Sequence, residues 1–171
     1  MLRKQLLLLL GAAPAFAAVL LVLLHAPHLF AFVALPQDDT ASRLAFGLRW
    51  LLVPGLALLA GIQVAGRRAF VPGAIDGTRA PESRSLEINL RYNLNTLEQS
   101  LLAAIAWMNL CLVLDHAQLV LIPAMALLFG FGRITFWIGY RLHPLARAFG
   151  MVLTALPTLG ALVWLAWRAV A

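Results

Sequence analysis

Arg91, Asn95 and Glu98 stand four and three residues apart in the run Arg91-Tyr92-Asn93-Leu94-Asn95-Thr96-Leu97-Glu98. At about 3.6 residues per helical turn, this spacing sets a cation, an amide and a carboxylate on one helix face. Arg133 and Tyr140, seven residues apart, share a face of a later segment in the same way. These residues lie in or beside apolar sequence, where a charge at the bilayer centre costs about 2.5–3.5 kcal/mol on insertion scales. Arg91, Glu98 and Arg133 are therefore expected to face the interior of a bundle or a wet cavity. Two such stripes on neighbouring helices would line one charged pocket. The spacing leaves a second arrangement open, a structural ion pair such as Glu98 with Arg133 that only fixes packing.

The elements that carry these stripes follow from composition. Of 171 residues, 63% are hydrophobic and 12% charged, too little polar surface for a soluble domain of this length. Apolar stretches of about 20 residues, enough to span the hydrocarbon layer, follow one another along the chain. The expectation is an all-α integral membrane protein in one domain, residues 1–171. A first helix runs from Gln5 to about Leu24 within an extra amino-terminal segment, residues 1–36, retained rather than cleaved as a signal. A four-helix bundle follows over residues 43–168, with helices at about Arg43–Gly66, Leu86–Leu114, Leu119–Tyr140 and Pro144–Trp167. Pro144 suits the first turn of the last of these. Asp38, Asp39, Thr40 and Ser42 are candidate caps for the helix that follows them.

The net charge of +6 does not point to nucleic acid, because the basic residues form no continuous face. They sit at helix ends. Arg3, Lys4, Arg67, Arg68, Arg79, Arg84, Arg141 and Arg147 fall on one side, against Arg43 and Arg168 near helix ends on the other. The positive-inside rule then puts the amino terminus in the cytoplasm, and a bacterial-type inner membrane is the expected setting. The single cysteine, Cys111, lies inside an apolar run and suits packing rather than a disulfide or a metal.

The string Arg91 to Glu98 resembles the R-x-x-x-N-x-x-E signature of the MAPEG family, the membrane-associated proteins of eicosanoid and glutathione metabolism. A second block, Phe131-Gly132-Arg133-Ile134-Thr135-Phe136-Trp137-Ile138-Gly139-Tyr140 followed by Arg147, is similar to that family's A-R-x-x-Y-x-x-G-Y segment and later arginine. Arg67-Arg68-Ala69-Phe70 is a weaker match to the end of its first helix. The resemblance implies a homotrimer of four-helix bundles that binds glutathione as co-substrate and acts as a transferase or peroxidase on lipophilic electrophiles. It implies that Arg91, Asn95, Glu98, Arg133 and Tyr140 hold the tripeptide, that Arg67 or Arg68 closes the site, and that Arg147 stabilises the thiolate. Bidentate arginine contacts suit the two carboxylates of glutathione, and Glu98 suits its ammonium. Phe136 and Gln99 stand where relatives in that family carry tyrosine, which motivates an alternative: a non-catalytic lipid-binding or scaffold protein of the same fold. A small transporter is a third reading of the intramembrane charges, without a visible repeat to support it.

Overall fold

The computed structural model describes residues 2–78, 81 and 83–171, with side chains from residue 9 onward. Arg79 and the side chains of Arg3 and Lys4, all placed on the positive side by the sequence, lie outside the described residues. Every regular element among the described residues is helical: α1 (Leu2–Leu24), α2 (Ala26–Leu29), α3 (Thr40–Trp50), α4 (Leu52–Gly66), α5 (Arg84–Val113), α6 (Leu121–Leu142) and α7 (Ala148–Val170). Four segments are long and apolar enough to cross a membrane: Thr40–Phe70, Arg84–Val113, His116–Leu142 and Ala148–Val170. The protein is thus a multi-pass, all-helical integral membrane protein with a further apolar helix, α1, at its amino end.

Local chemistry explains the element ends. The Asp39 carboxylate accepts the backbone N–H of Ser42 at 2.9 Å and caps α3. That bond, made to the ionised form, holds its pKa below the usual carboxylate value. A depressed carboxylate stabilises the fold above its unfolded pKa and ceases to as the pH falls through the folded one. Asp39→Ala is therefore expected to lower the melting temperature in detergent at pH 7, and the gap from the parent should close below the carboxylate range. Pro54 has no N–H to offer the Trp50 carbonyl, and the ladder breaks there, at Leu51, between α3 and α4. Ser83 caps α5 by accepting the Leu86 N–H at 3.2 Å. The last helix starts later than the proline suggests: Pro144 lies in a turn, α7 begins at Ala148, and Arg147 is its N-cap residue. The turn is held by Ala146 N–H to His143 C=O at 3.0 Å and by Ala148 N–H to Leu145 C=O at 3.1 Å.

The core sits between α3, α5 and α6. Trp107 and Cys111 are fully buried there with Phe46, Ile122 and Phe129, and the Trp107 and Phe129 rings meet edge to face at 6.1 Å. α6 and α7 approach backbone to backbone. A Cβ on Gly150 would collide with Phe136 N and Gly132 O, and one on Gly139 would lie 2.6 Å from Ala146 O. Small residues permit this approach where lipid supplies no hydrophobic drive between helices. α1 packs on the outside of that pair, burying Ala15 and Val19 against Leu128 and Leu153.

The helices alternate in direction. One end carries the turns around Asp38 and Asp115, tied by the His116 ring to Pro36 O at 2.8 Å and by the Arg43 guanidinium to Leu114 O. The other end carries Arg67, Arg68, Arg84, Arg141 and Arg147.

Candidate functional site

Arg91, Asn95 and Glu98 do share a face of α5. They line a groove of about 270 Å³ with Leu94, with Phe136 and Tyr140 of α6, and with Arg147 and Met151 at the start of α7. Glu98 lies about 24 Å along α5 from Leu114, so with Leu114 at one boundary of a roughly 30 Å hydrocarbon layer it falls just inside the other. Arg91 is about 35 Å from Leu114 by the same count, at headgroup level. The groove therefore begins in lipid and ends in the polar region.

Its charges are unevenly matched. Arg91 gives Nε and Nη2 to Glu87 Oε1 at 3.0 and 2.9 Å. Glu98 is exposed and has no hydrogen bond or ion pair among the described residues. Arg147 is also exposed; its guanidinium stacks on the Tyr140 ring at 4.6 Å and meets no carboxylate among them. Tyr140 in turn packs edge to face on Phe136, with centroids 5.7 Å apart. The groove thus brings together a carboxylate and a guanidinium without ion-pair partners among the described residues, an arginine already paired, and two aromatic walls, a set of groups chemically complementary to a zwitterion with an apolar part.

Arg133 does not join them, contrary to expectation. It is 1% exposed, and no ion pair with Glu98 forms. Its Nη1 donates to Asn95 Oδ1 at 2.8 Å, while Nε and Nη2 donate to Thr154 Oγ1 at 3.1 and 3.0 Å. Its flat face lies 4.6 Å from the Phe136 centroid, on a ring that also lines the groove. Arg133 is thus a positioning residue. It holds the Asn95 oxygen inward, which leaves the Asn95 NH₂ as a donor for the groove. Thr154 was not singled out in the sequence; its only mark there is a hydroxyl, one of two with Thr158 in an apolar run, four residues after Gly150.

Arg67 and Arg68 are likewise elsewhere. They line a different cavity, of about 370 Å³, at the Arg-rich end between α4, α5 and α6. That Ser83 at the cap of α5, Asn89 within α5 and Arg141 of α6 would join them was not legible in the chain, because these elements and the end of α4 lie apart in sequence. The eight nominated side chains therefore divide among a groove, a buried polar knot and a second cavity.

The chain is 29% identical over 160 residues to mouse Transmembrane protein 79, an alignment covering 90% of this chain and 41% of that protein. It is 28% identical over 143 residues to the bovine Transmembrane protein 79, covering 83% of this chain and 36% of the relative. The chain spans less than half the length of these curated relatives. No family profile matches it. No solved structure matches it either. The MAPEG assignment drawn from the two sequence blocks is corrected accordingly: the named relatives carry another name, and no profile supports that family. A handful of polar residues at helical spacing is a pattern that any bundle with a charged cleft can share. Both relatives are mammalian proteins, and they lend nothing to a bacterial inner membrane.

Proposed function

We propose that this membrane protein binds a small zwitterionic amphiphile in the groove between α5, α6 and α7, with glutathione as the candidate ligand and lipophilic electrophiles as its reaction partners. One observation carries the reading: Glu98 and Arg147, opposite charges without partners among the described residues, line the same groove at the edge of the bilayer. Neither charge contributes to the fold through a pair, and each would be better satisfied by a guest. Glu98 accepts an ammonium, the free edge of Arg91 and the Asn95 amide donate to a carboxylate, and the Arg147 guanidinium stands ready for a thiolate. In a transfer step the thiol proton leaves to solvent, the sulfur bonds to the electrophilic carbon, and the leaving group departs with its electron pair. The exposed Leu94 and the half-buried Met151 offer the acceptor an apolar approach from lipid. A homotrimer, in which a neighbouring copy covers the open side and withdraws Glu98 from lipid, belongs to the same proposal. So does a cytoplasmic position for the Arg-rich end.

The test is a melting curve in detergent with glutathione. At a hundredfold excess over its Kd a ligand stabilises the folded state by about 2.7 kcal/mol. Glu98→Gln is expected to weaken glutathione about tenfold, because a hydrogen bond to a charged group contributes about 1.5–3 kcal/mol. No shift at millimolar glutathione would reject it as the ligand.

One observation favours a second, non-catalytic reading. Phe136 presents a bare ring to the groove where a hydroxyl would orient a reacting sulfur. On that reading the same groove holds an amphiphilic lipid without chemistry, and glutathione leaves the melting temperature unmoved.

A further inference from the structure

The second cavity lies one bundle face away from the groove and shares no lining residue with it. Its polar lining among the described residues is three arginines (Arg67, Arg68 and Arg141), two serines (Ser83 and Ser85) and Asn89, with no carboxylate. The donors are fixed in place. Arg141 stacks on the Trp137 ring at 4.3 Å and donates to Ser85 Oγ at 3.2 Å. Trp137 Nε1 donates to Asn89 Oδ1 at 3.0 Å, which turns the Asn89 NH₂ away from the indole and leaves it without an acceptor. Arg68 lies against Gly77 of the polar loop, where a Cβ would collide with its Nη2. Arg67 and Arg68 make no hydrogen bond or ion pair among the described residues. Beside Val64, Val71, Ala74 and Leu86, a polar lining dominated by arginines and without a carboxylate suits an oxyanion, and phosphate oxygens meet arginine forks best.

A second feature says which phosphate. Val64 belongs both to this cavity and to a mainly apolar groove of about 230 Å³ lined by Ala60, Gly61, Ile134, Trp137 and Ile138, together with Tyr92 and Arg133, whose polar ends bond inside the bundle to Ala57 O and to Asn95 and Thr154. Ala60 is one turn before Val64 on α4, and Ile134 and Ile138 are two turns and one turn before Arg141 on α6, so the groove runs from the cavity toward the membrane centre. Ile134 and Ile138 are 58% and 48% exposed, so the groove is open along its length. A basic cup at headgroup level above an apolar furrow has the two halves of a phospholipid.

We propose that this face binds an anionic phospholipid, its phosphate held by Arg67, Arg68 and Arg141 and one acyl chain lying between α4 and α6. The site sits on the Arg-rich end, where the positive-inside rule places the leaflet that attracts basic residues.

The experiment uses the full chain in detergent micelles, titrated with phosphatidylglycerol, phosphatidylcholine or inorganic phosphate, and reads retained lipid by native mass spectrometry together with the melting temperature. Phosphatidylglycerol is expected to be retained and to raise the melting temperature, phosphatidylcholine to need at least about tenfold more, and phosphate to do neither. Each cavity arginine removed should raise the half-saturating lipid concentration about tenfold, through the loss of a charge-assisted contact to the phosphate that Arg84, outside the cavity, does not make. The double change Arg67→Gln with Arg68→Gln and the single change Arg141→Gln test this separately, so one misfolded variant does not decide it. Arg84→Gln alters the same end of the bundle outside the cavity and should leave binding within twofold. Equal responses to the two lipids, or an Arg84→Gln loss matching that of Arg141→Gln, would overturn the site. Saturation by inorganic phosphate alone would overturn the lipid in favour of a free phosphate.

Discussion

Gly150→Val is expected to separate α6 from α7 and to be the most damaging single substitution in the bundle. A Cβ at this position has no free volume. It would fall on Phe136 N and Gly132 O, with Phe136 Cα at 2.7 Å, and all three are backbone atoms that no rotamer change can move aside. Overpacking against side chains costs about 1–3 kcal/mol, and a backbone obstruction lies at or beyond the top of that range. The damage would spread to the site, because Thr154, which accepts two of the Arg133 donors, itself donates to the Gly150 carbonyl at 2.8 Å. The check is the melting temperature in detergent beside Gly160→Val on the same helix, where a Cβ meets nothing within 4 Å. Equal melting temperatures for the two variants would show that the close crossing does not carry the fold.

Arg147→Ala is expected to lower glutathione-dependent turnover at pH 7 by about a hundredfold, since removing one positioned donor to a developing anion typically costs 10²–10³ in rate. A free thiol ionises near pH 8.5, so only a few per cent is thiolate at neutral pH. A guanidinium beside it lowers that value, and each unit is worth about 1.4 kcal/mol. The sign sets the profile: the deficit is largest below the free thiol's pKa and narrows above it, where the thiol ionises unaided. Arg147 is held at the N-cap of α7 and against Tyr140, so the lost charge has no substitute within the same turn. Arg147→Lys should keep part of the rate. The ultraviolet absorbance of bound thiolate, titrated in the parent and in Arg147→Ala, separates this role from a structural one. Superimposable titrations and equal turnover would remove Arg147 from the chemistry.

How far the sequence reached differs from residue to residue. The spans were legible because a bilayer imposes length and apolarity on each helix separately. The shared face of Arg91, Asn95 and Glu98 was legible because it depends only on the pitch of one helix. Pro144 misled about the start of α7: its fixed φ suits a first helical turn, but also the turn that closes the α6–α7 corner. Arg133 misled more. Its spacing from Tyr140 places both on one side of α6, yet Thr154 of α7 and Asn95 of α5 draw the guanidinium inward, away from the groove that Tyr140 lines.

The arginines of the second cavity show the same limit. Arg67 and Arg68 are neighbours after α4 while Arg141 lies in the last turn of α6, and only the meeting of α4, α5 and α6 makes them one cluster. What the chain determined by itself was an all-helical membrane protein, the order of its helices and the stripe of charge on α5, since each follows from local periodicity and the solvent the chain must face. Which charges meet and which are spent on the fold was decided by the crossing of α6 and α7 at the groove and by the meeting of α4, α5 and α6 at the second cavity. The α6–α7 crossing depends on glycines whose value lies in what they lack, because the space is taken by backbone of the facing helix or of the corner between the two.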